Sequence, residues 1–321
     1  MNWKCSWLVG LAFAALAPAA SAQAYPSRSV TVVMPFVAGG VVDVATRAVL
    51  EEVGTRMPQP ILVDNKPGAE GLLGTQVAKR ASADGYTLLG TAQYLVTTPM
   101  LRTNPGFALS DFTPVAVIGG GPNVIVVSPT LPVKTLKEFI EYARARPGQL
   151  NAGTGSRGGS VHLGTETFMH TTGVKMQTVP YKGSPEMIPS LINGQLHFAL
   201  MPAAVAAPVV KSGKVTALAV GAPVRVALLP DVPSIVEAGS PAETVAFPWY
   251  AIVARAGTPA PIVARWNADI NAALRSPKVL ERLKGIGVVP TSMSVAGFEE
   301  MLKDEQARWA KLFRERNIRP E

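Results

Sequence analysis

The sequence predicts an α/β fold of two domains, in which sheets of parallel strands are covered by helices. Short β-branched segments alternate with amphipathic stretches along most of the chain, and this pattern is typical of strands joined by helices. About 300 of the 321 residues remain once a predicted leader is set aside, and a chain of that length usually divides into two domains. It can also bury a core large enough to fold without disulfides.

The N-terminus predicts a secretory signal peptide. Lys4 gives a positive start, and residues 6–16 form an apolar run too short to span a bilayer as a stable helix. We expect residues 1–22 to be removed, with cleavage near 22–24, and the mature protein to be exported; an uncleaved membrane anchor is the alternative. Cys5 is the only cysteine and precedes the apolar run, so neither a lipid anchor nor a disulfide is expected.

Strands are predicted where Val, Ile, Thr and aromatic residues cluster between turn residues. In chain order they cover residues 30–36, 61–64, 86–90, 115–118, 124–127, 149–152, 177–180, 197–200, 216–220 and 249–253.

Helices are predicted where apolar residues recur every three or four positions. In chain order they cover residues 42–56, 72–81, 136–146, 161–172, 261–275, 277–285 and 295–316. Ser160, and Ser184 followed by Pro185, are candidate helix caps, while Gly194 and Gly213 fall where further helices would end. The last helix carries one apolar stripe, which we expect to dock on the core.

The formal net charge of +8 raises the question of whether the protein binds nucleic acid or a small anion. Lys and Arg are scattered and do not form runs interleaved with aromatic residues, so a nucleic-acid partner is not expected. A basic surface can attract a small anionic ligand, or it can serve solubility alone.

Two glycine-rich loops carry the strongest functional signal, because each follows a predicted strand and opens a predicted helix. The first loop covers residues 34–43 and the second residues 151–162. Glycine lets backbone N–H groups face a guest, and a helix N-terminus adds unpaired donors and partial positive charge. The pair therefore predicts a cleft that holds an anion from both sides.

Other chemistries fit the sequence poorly. Residues 153–158 satisfy G-x-G-x-x-G, but the next predicted strand, 177–180, has no acidic residue at its end to bind a ribose. No G-x-S-x-G motif and no H-E-x-x-H motif is present, and the chain has three histidines. We therefore expect no catalytic residue, no metal and no cofactor.

Three side chains within the loops have alternative roles. Asp43 is interpreted first as an acidic residue that stabilises a helix start and shapes the first loop, and second as a ligand contact. His162 could cap or pack as readily as touch a ligand. Arg157 either pairs with a ligand carboxylate, which its guanidinium fork fits, or is solvated or closes the cleft.

The chain resembles the Bug-type extracytoplasmic solute receptors, the binding components of tripartite tricarboxylate transporters. The resemblance covers nearly the whole mature chain and rests on motifs in order. They are Tyr25-Pro26-Ser27-Arg28-Ser29-Val30, Pro35-Phe36-Val37-Ala38-Gly39-Gly40 with Asp43, Asp64-Asn65-Lys66-Pro67-Gly68-Ala69, Asp84-Gly85-Tyr86-Thr87-Leu88, His162-Leu163, Val179-Pro180-Tyr181-Lys182-Gly183-Ser184, Leu229-Pro230-Asp231-Val232-Pro233 and Ala256-Gly257-Thr258-Pro259.

The resemblance implies a two-lobed periplasmic binding fold, type II-like, with two crossover strands and a ligand cleft between the lobes. Lobe 1 would comprise residues 25–123 and 247–321, and lobe 2 residues 124–246. It also implies a periplasmic monomer that binds a small organic carboxylate without changing it and presents it to a membrane permease. The alternatives are a sensor subunit that serves a signalling kinase and, less favoured, a secreted enzyme.

The glycine loops and the resemblance together give the candidate ligand-binding residues, which lie in the two loops, after the third strand and after the strand ending near Leu200. They are Phe36, Ala38, Gly39, Gly40, Val41, Asp43, Thr91, Gln93, Tyr94, Thr154, Ser156, Arg157, Gly158, Ser160, His162, Met201, Pro202 and Ala203. Selectivity is expected from Gln93, Tyr94, Arg157 and Met201.

Two departures from the family pattern bear on the ligand. Val42 stands where the family often has Thr or Ser, and Met201-Pro202-Ala203 stands where it often has an Asp-Asn pair. Loss of that acidic residue disfavours an amino acid ligand. An aromatic or aliphatic dicarboxylate with an apolar body is the resulting hypothesis.

Overall fold

The computed structural model describes residues 25–155, 158–181, 183–241, 244 and 248–320. The predicted signal peptide, the candidate ligand residues Ser156 and Arg157, and the lobe boundary at Phe247 lie outside the described residues. They stay predictions.

The strands and helices alternate along most of the described chain. The strands are β1 (Val30–Met34), β2 (Ile61–Asn65), β3 (Thr87–Ala92), β4 (Phe112–Gly120), β5 (Asn123–Val127), β6 (Asn151–Thr154), β7 (Gln177–Pro180), β8 (Phe198–Pro202), β9 (Thr216–Val220), β10 (Trp249–Arg255) and β11 (Val289–Pro290). The helices are α1 (Val41–Gly54), α2 (Leu72–Arg80), α3 (Tyr94–Leu101), α4 (Leu136–Arg144), α5 (Ser160–Thr172), α6 (Ser184–Ile192), α7 (Ala203–Lys211), α8 (Ala260–Ala273), α9 (Pro277–Gly285) and α10 (Val295–Glu315).

The strands form two sheets that share the same order over five strands, and β11 adds a sixth strand at one edge of the first sheet. The first sheet runs β11-β4-β10-β3-β1-β2, and the second runs β7-β6-β8-β5-β9. In the first, β1 is parallel to β2 and β3, whereas β10 is antiparallel to β3 and β4. In the second, β6 is parallel to β7 and β8, whereas β5 is antiparallel to β8 and β9.

The parallel pairing expected from the alternation of strands and helices is therefore wrong for β5 and β10. β5 and β10 run against their neighbours because each is entered directly from the other sheet: β5 follows β4 of the first sheet, and β10 follows β9 of the second. These are the two crossover strands that the family resemblance implies. They connect the sheets at Gly121–Pro122 and through residues 221–248.

Each sheet has its own hydrophobic core. On the first sheet, one cluster packs α1, α8 and α9 against one face, and another packs α2, α3 and α10 against the other and includes Leu163 of α5. The second sheet has a continuous cluster in which Phe139, Phe168 and Phe198 stack, with ring centroids 4.8–6.2 Å apart. The apolar stripe of α10, with Phe298 and Trp309 fully buried, docks on the core as expected.

The element predictions are confirmed except in a few places. Helix α3 was missed because it is apolar on nearly every side and contains Pro99, so it lacks the two-faced pattern of a surface helix. The two-residue strand β11 was also missed. Ser160 and Ser184 are first helical residues and not caps; Gly159 and Gly183 occupy the cap positions.

The aromatic stack predicts a large cost for truncating one of its rings. Phe168→Ala removes a fully buried ring that contacts both partners, and such truncations cost about 3–5 kcal/mol. Urea denaturation measures the loss. Val236→Ala, at a position that is 51% exposed, is the control and should change stability by less than about 0.5 kcal/mol. Equal effects of the two changes would contradict the packing described.

Candidate functional site

The two glycine loops occupy equivalent places in the two sheets. The first leads from β1 into α1, and the second leads from β6 into α5. β1 lies between β2 and β3, as β6 lies between β7 and β8. Each loop is therefore at the carboxyl edge of a parallel strand, where open α/β sheets bind ligands. The helix that follows begins at a glycine cap, Gly40 or Gly159, which has no side chain with which to bond the first N–H groups.

The first loop is held by the carboxylate of Asp43, which is 1% exposed. Its Oδ2 accepts hydrogen bonds from the Gly39 N–H at 2.9 Å and from Arg47 Nε at 3.0 Å, and its Oδ1 accepts from Asn65 Nδ2 at 2.8 Å. Asn65 Nδ2 also donates to the carbonyl of Phe36 at 3.0 Å. The carboxylate therefore joins the loop, α1 and the end of β2.

The charge on Asp43 is stabilised by these donors. Burial of the carboxyl group opposes ionisation, but hydrogen bonds from Asn65, Gly39 and Arg47 outweigh it and hold the pKa of Asp43 below its ordinary value of 3.8. These are the contacts of a residue that shapes the loop. Direct contact of Asp43 with a ligand stays a prediction.

The second loop is held from both sheets. The Gly158 N–H donates to His162 Nδ1 at 3.2 Å, so that nitrogen of the imidazole is an acceptor. The Gly158 carbonyl accepts from Thr97 Oγ1 of α3 at 3.1 Å, although α3 belongs to the first sheet. Gly158 has φ +77°, a backbone conformation that favours glycine, and a Cβ there would lie 2.9 Å from Leu101 Cδ1, which would have to shift.

Two of the residues expected to confer selectivity lie within the packing of their own sheet. The ring of Tyr94 lies 5.7 Å from that of Phe36, and its hydroxyl hydrogen-bonds Thr75 Oγ1 at 2.9 Å. Burial raises the pKa of Tyr94 to about 12. Met201 is fully buried in the core of the second sheet. Pro202 and Ala203, by contrast, stand where β8 ends and α7 begins.

The remaining candidates lie at the loops or at strand ends. In the first loop, Ala38 and Gly39 are exposed, and Gly40 and Val41 are half-buried. Thr91 and Thr154 are buried near the ends of β3 and β6, and Gln93 is buried directly after β3. Ser160 is half-buried at the start of α5.

Four residues were not among the predicted site residues. Arg47 is four residues after Asp43 on one helix, a spacing that could have predicted the ion pair. Asn65 belongs to a quoted motif, but its bond to Asp43 spans 22 residues. The sequence around Thr97 and Asn123 does not predict a role for them at the site, because their position relative to it depends on how the two sheets meet.

Within the part of the chain that the structure describes, no group of three or more His, Cys, Asp or Glu side chains is placed to hold a metal ion. Nor, over the same residues, does a helix have the length and hydropathy needed to cross a bilayer.

Residues 45–318 match the family model described as the tripartite tricarboxylate transporter family receptor. The chain belongs to this family. Protein BugT of Bordetella pertussis is 34% identical over 310 residues, which are 95% of this chain and 94% of that protein. The family is one of solute-binding receptors and not of enzymes, which confirms the expectation that the chain is not an enzyme.

Solved structures of similar proteins show the same fold. One described as R. palustris Rpa4515 with adipate is 33% identical, with a TM-score of 0.79 over 92% of this chain and 100% of that one. The periplasmic binding protein BugD is 30% identical, with a TM-score of 0.76 over 92% and 100% of the two chains. MatC from Rhodopseudomonas palustris with bound malate is 29% identical, with a TM-score of 0.74 over 90% and 99%. The predicted fold class, an α/β periplasmic solute-binding fold, is confirmed.

The network around Asp43 predicts a pH-dependent stability difference. Asp43→Asn replaces an anionic acceptor of buried hydrogen bonds, and we expect a loss of about 1–3 kcal/mol at neutral pH. Because the pKa of Asp43 is lowered on folding, its contribution is full above the ordinary value of 3.8 and is lost as the pH falls through the lowered value. Urea denaturation of both proteins between pH 7 and pH 3 measures this.

Asp304→Asn, at an exposed position of α10, is the matched control and should be nearly neutral throughout that range. An Asp43→Asn deficit that stays constant as the pH falls would show that the charge of Asp43 does not stabilise the loop.

Proposed function

We propose that this receptor binds a small organic carboxylate between its two glycine loops and delivers it to a membrane transporter. The observation that carries the proposal is the matched pair of helix starts, each with a glycine cap, at the carboxyl edges of two equivalent strands. Such N–H groups favour an anion. The family assignment supports it, as do the relatives whose structures are described with adipate and with malate.

The proposed ligand is an aliphatic or aromatic dicarboxylate. Where relatives of this kind often carry an Asp-Asn pair, this chain has Met201-Pro202-Ala203, at the end of β8 and the start of α7. Without that acidic group an ammonium ion would lack a partner there. Arg157 in the second loop is proposed to pair with one carboxylate.

We further propose that the chain works as a periplasmic monomer of two lobes, residues 25–123 with 247–321 and residues 124–246. The separate cores of the two sheets and the two crossing connections support this division. The signal-like N-terminus and the similarity to BugD support export to the periplasm. The proposed partner is a permease that recognises the ligand-bound form.

A thermal-shift screen of the mature, ligand-stripped protein tests the ligand class. The panel holds mono-, di- and tricarboxylates, amino acids and phthalate isomers. A ligand at 100 times its Kd stabilises by about 2.7 kcal/mol, which shifts Tm by a few degrees at this size. We expect dicarboxylates to give the shift and Arg157→Ala to reduce it, whereas Arg225→Ala, at an exposed ion pair with Glu237, should not.

No shift with any carboxylate would contradict the proposal, and shifts confined to amino acids would contradict the dicarboxylate assignment. Delivery is tested by uptake of the labelled ligand in a strain lacking the gene. Uptake should fall; unchanged uptake with a lost transcriptional response would instead indicate a sensor.

The contact between the second loop and α3 predicts a loss of affinity when its donor is removed. Thr97→Val leaves the buried Gly158 carbonyl without the Thr97 hydroxyl, a change worth about 0.5–1.5 kcal/mol, so Kd should rise about two- to tenfold. Calorimetric titration with the best ligand of the screen measures it. Thr171→Val, whose hydroxyl bonds only within α5, should leave Kd unchanged. Equal Kd values for Thr97→Val and the wild type would show that this bond does not support binding.

A further inference from the structure

Two amide side chains are buried without a hydrogen-bond partner among the described residues. Gln93 is 2% exposed and Asn123 is 0% exposed, and neither the oxygen nor the nitrogen of either amide is bonded. A buried polar group with no partner costs free energy, and most such groups in native proteins are satisfied. Two complete amides in this state are available to hydrogen-bond a ligand.

Both amides lie at the sheet edges that carry the glycine loops. Gln93 directly follows β3, the strand beside β1 and the first loop, and it occupies the position before α3. Asn123 begins β5 opposite Pro202, the last residue of β8, and β8 lies beside β6 and the second loop. The carbonyl of Asn123 accepts from the Gly221 N–H at 2.8 Å, so the residue stands where both connections between the sheets begin or end.

The chemistry of these groups suits an anionic oxygen of a ligand. Each amide offers two N–H donors, and hydrogen bonds to a carboxylate are stronger than bonds between neutral groups. The carboxylate that holds the first loop, Asp43, already accepts from Gly39, Arg47 and Asn65. Tyr94 and Met201 cannot take this role as placed, because the Tyr94 hydroxyl is bonded to Thr75 and Met201 is in the core.

We propose that Gln93 and Asn123 bind the second, distal carboxylate of a dicarboxylate whose first carboxylate lies at the glycine loops. This rests on the proposed function and extends it, because it assigns the residues that distinguish a dicarboxylate from a monocarboxylate of equal length.

The test combines each variant with a matched pair of ligands. The probes are succinate, glutarate, adipate and pimelate, each beside the monocarboxylate in which one carboxyl group is a methyl: butanoate, pentanoate, hexanoate and heptanoate. Gln93→Met and Asn123→Leu keep the side-chain shape and remove the donors. Thr46→Val is the control, because Thr46 is also fully buried with an unbonded hydroxyl but lies in the second turn of α1.

We expect the wild type to prefer its best dicarboxylate over the matched monocarboxylate by at least tenfold in Kd. Each amide variant should reduce that preference at least tenfold by weakening dicarboxylate binding, with the monocarboxylate Kd changed less than threefold. Thr46→Val should change neither value. Gln93→Glu provides a second variant of the same size, whose negative charge should abolish dicarboxylate binding and spare the monocarboxylate.

Equal weakening of both ligands, or no weakening of either, would overturn the assignment of the distal carboxylate while leaving the proposed function intact. If the wild type bound none of these eight probes or the other carboxylates of the screen, the proposed function would fail first and this assignment with it.

Discussion

The site depends on the buried carboxylate of Asp43. An ionised group with 1% exposure is tolerated only where donors replace the water it has lost, and here Asn65, Gly39 and Arg47 do so. The hydrogen bond from Arg47 orients the carboxylate within α1, and the hydrogen bond from Asn65 links it to β2. The hydrogen bond from the Gly39 N–H holds the first loop against the start of α1. Because Asp43 satisfies the Gly39 N–H from inside the loop, the loop keeps one shape before any ligand arrives.

The second loop is also held by a side chain of the helix that follows it, which accepts a hydrogen bond from a loop N–H group. An imidazole nitrogen, His162 Nδ1, takes the place of the carboxylate and accepts from Gly158, four residues before it. The same glycine also accepts from Thr97 across the two sheets. Thr97 lies in α3, the helix that follows Gln93 at the end of β3. The hydrogen bond between Thr97 and Gly158 therefore links the second loop to α3 and to the end of β3.

Sequence predicted the local features and missed those that depend on how distant segments meet. Alternating apolar segments located the strands from β1 to β10, but a β-branched run does not reveal strand direction, so the antiparallel β5 and β10 needed the family resemblance. The role of Asp43 in shaping its loop was foreseen from its place in the first helical turn. Thr97 and Asn123 could not be foreseen, because their significance comes from contacts or neighbours 61 and 79 residues away along the chain.

The most direct measurement is a crystal structure of the mature protein with the strongest dicarboxylate bound. We expect one carboxylate to accept hydrogen bonds from backbone N–H groups in the first turns of α1 and α5, the two helices that the glycine loops begin. A ligand bound away from both loops, or one whose carboxylates are held without backbone N–H groups, would contradict the central claim that paired glycine loops form the anion site.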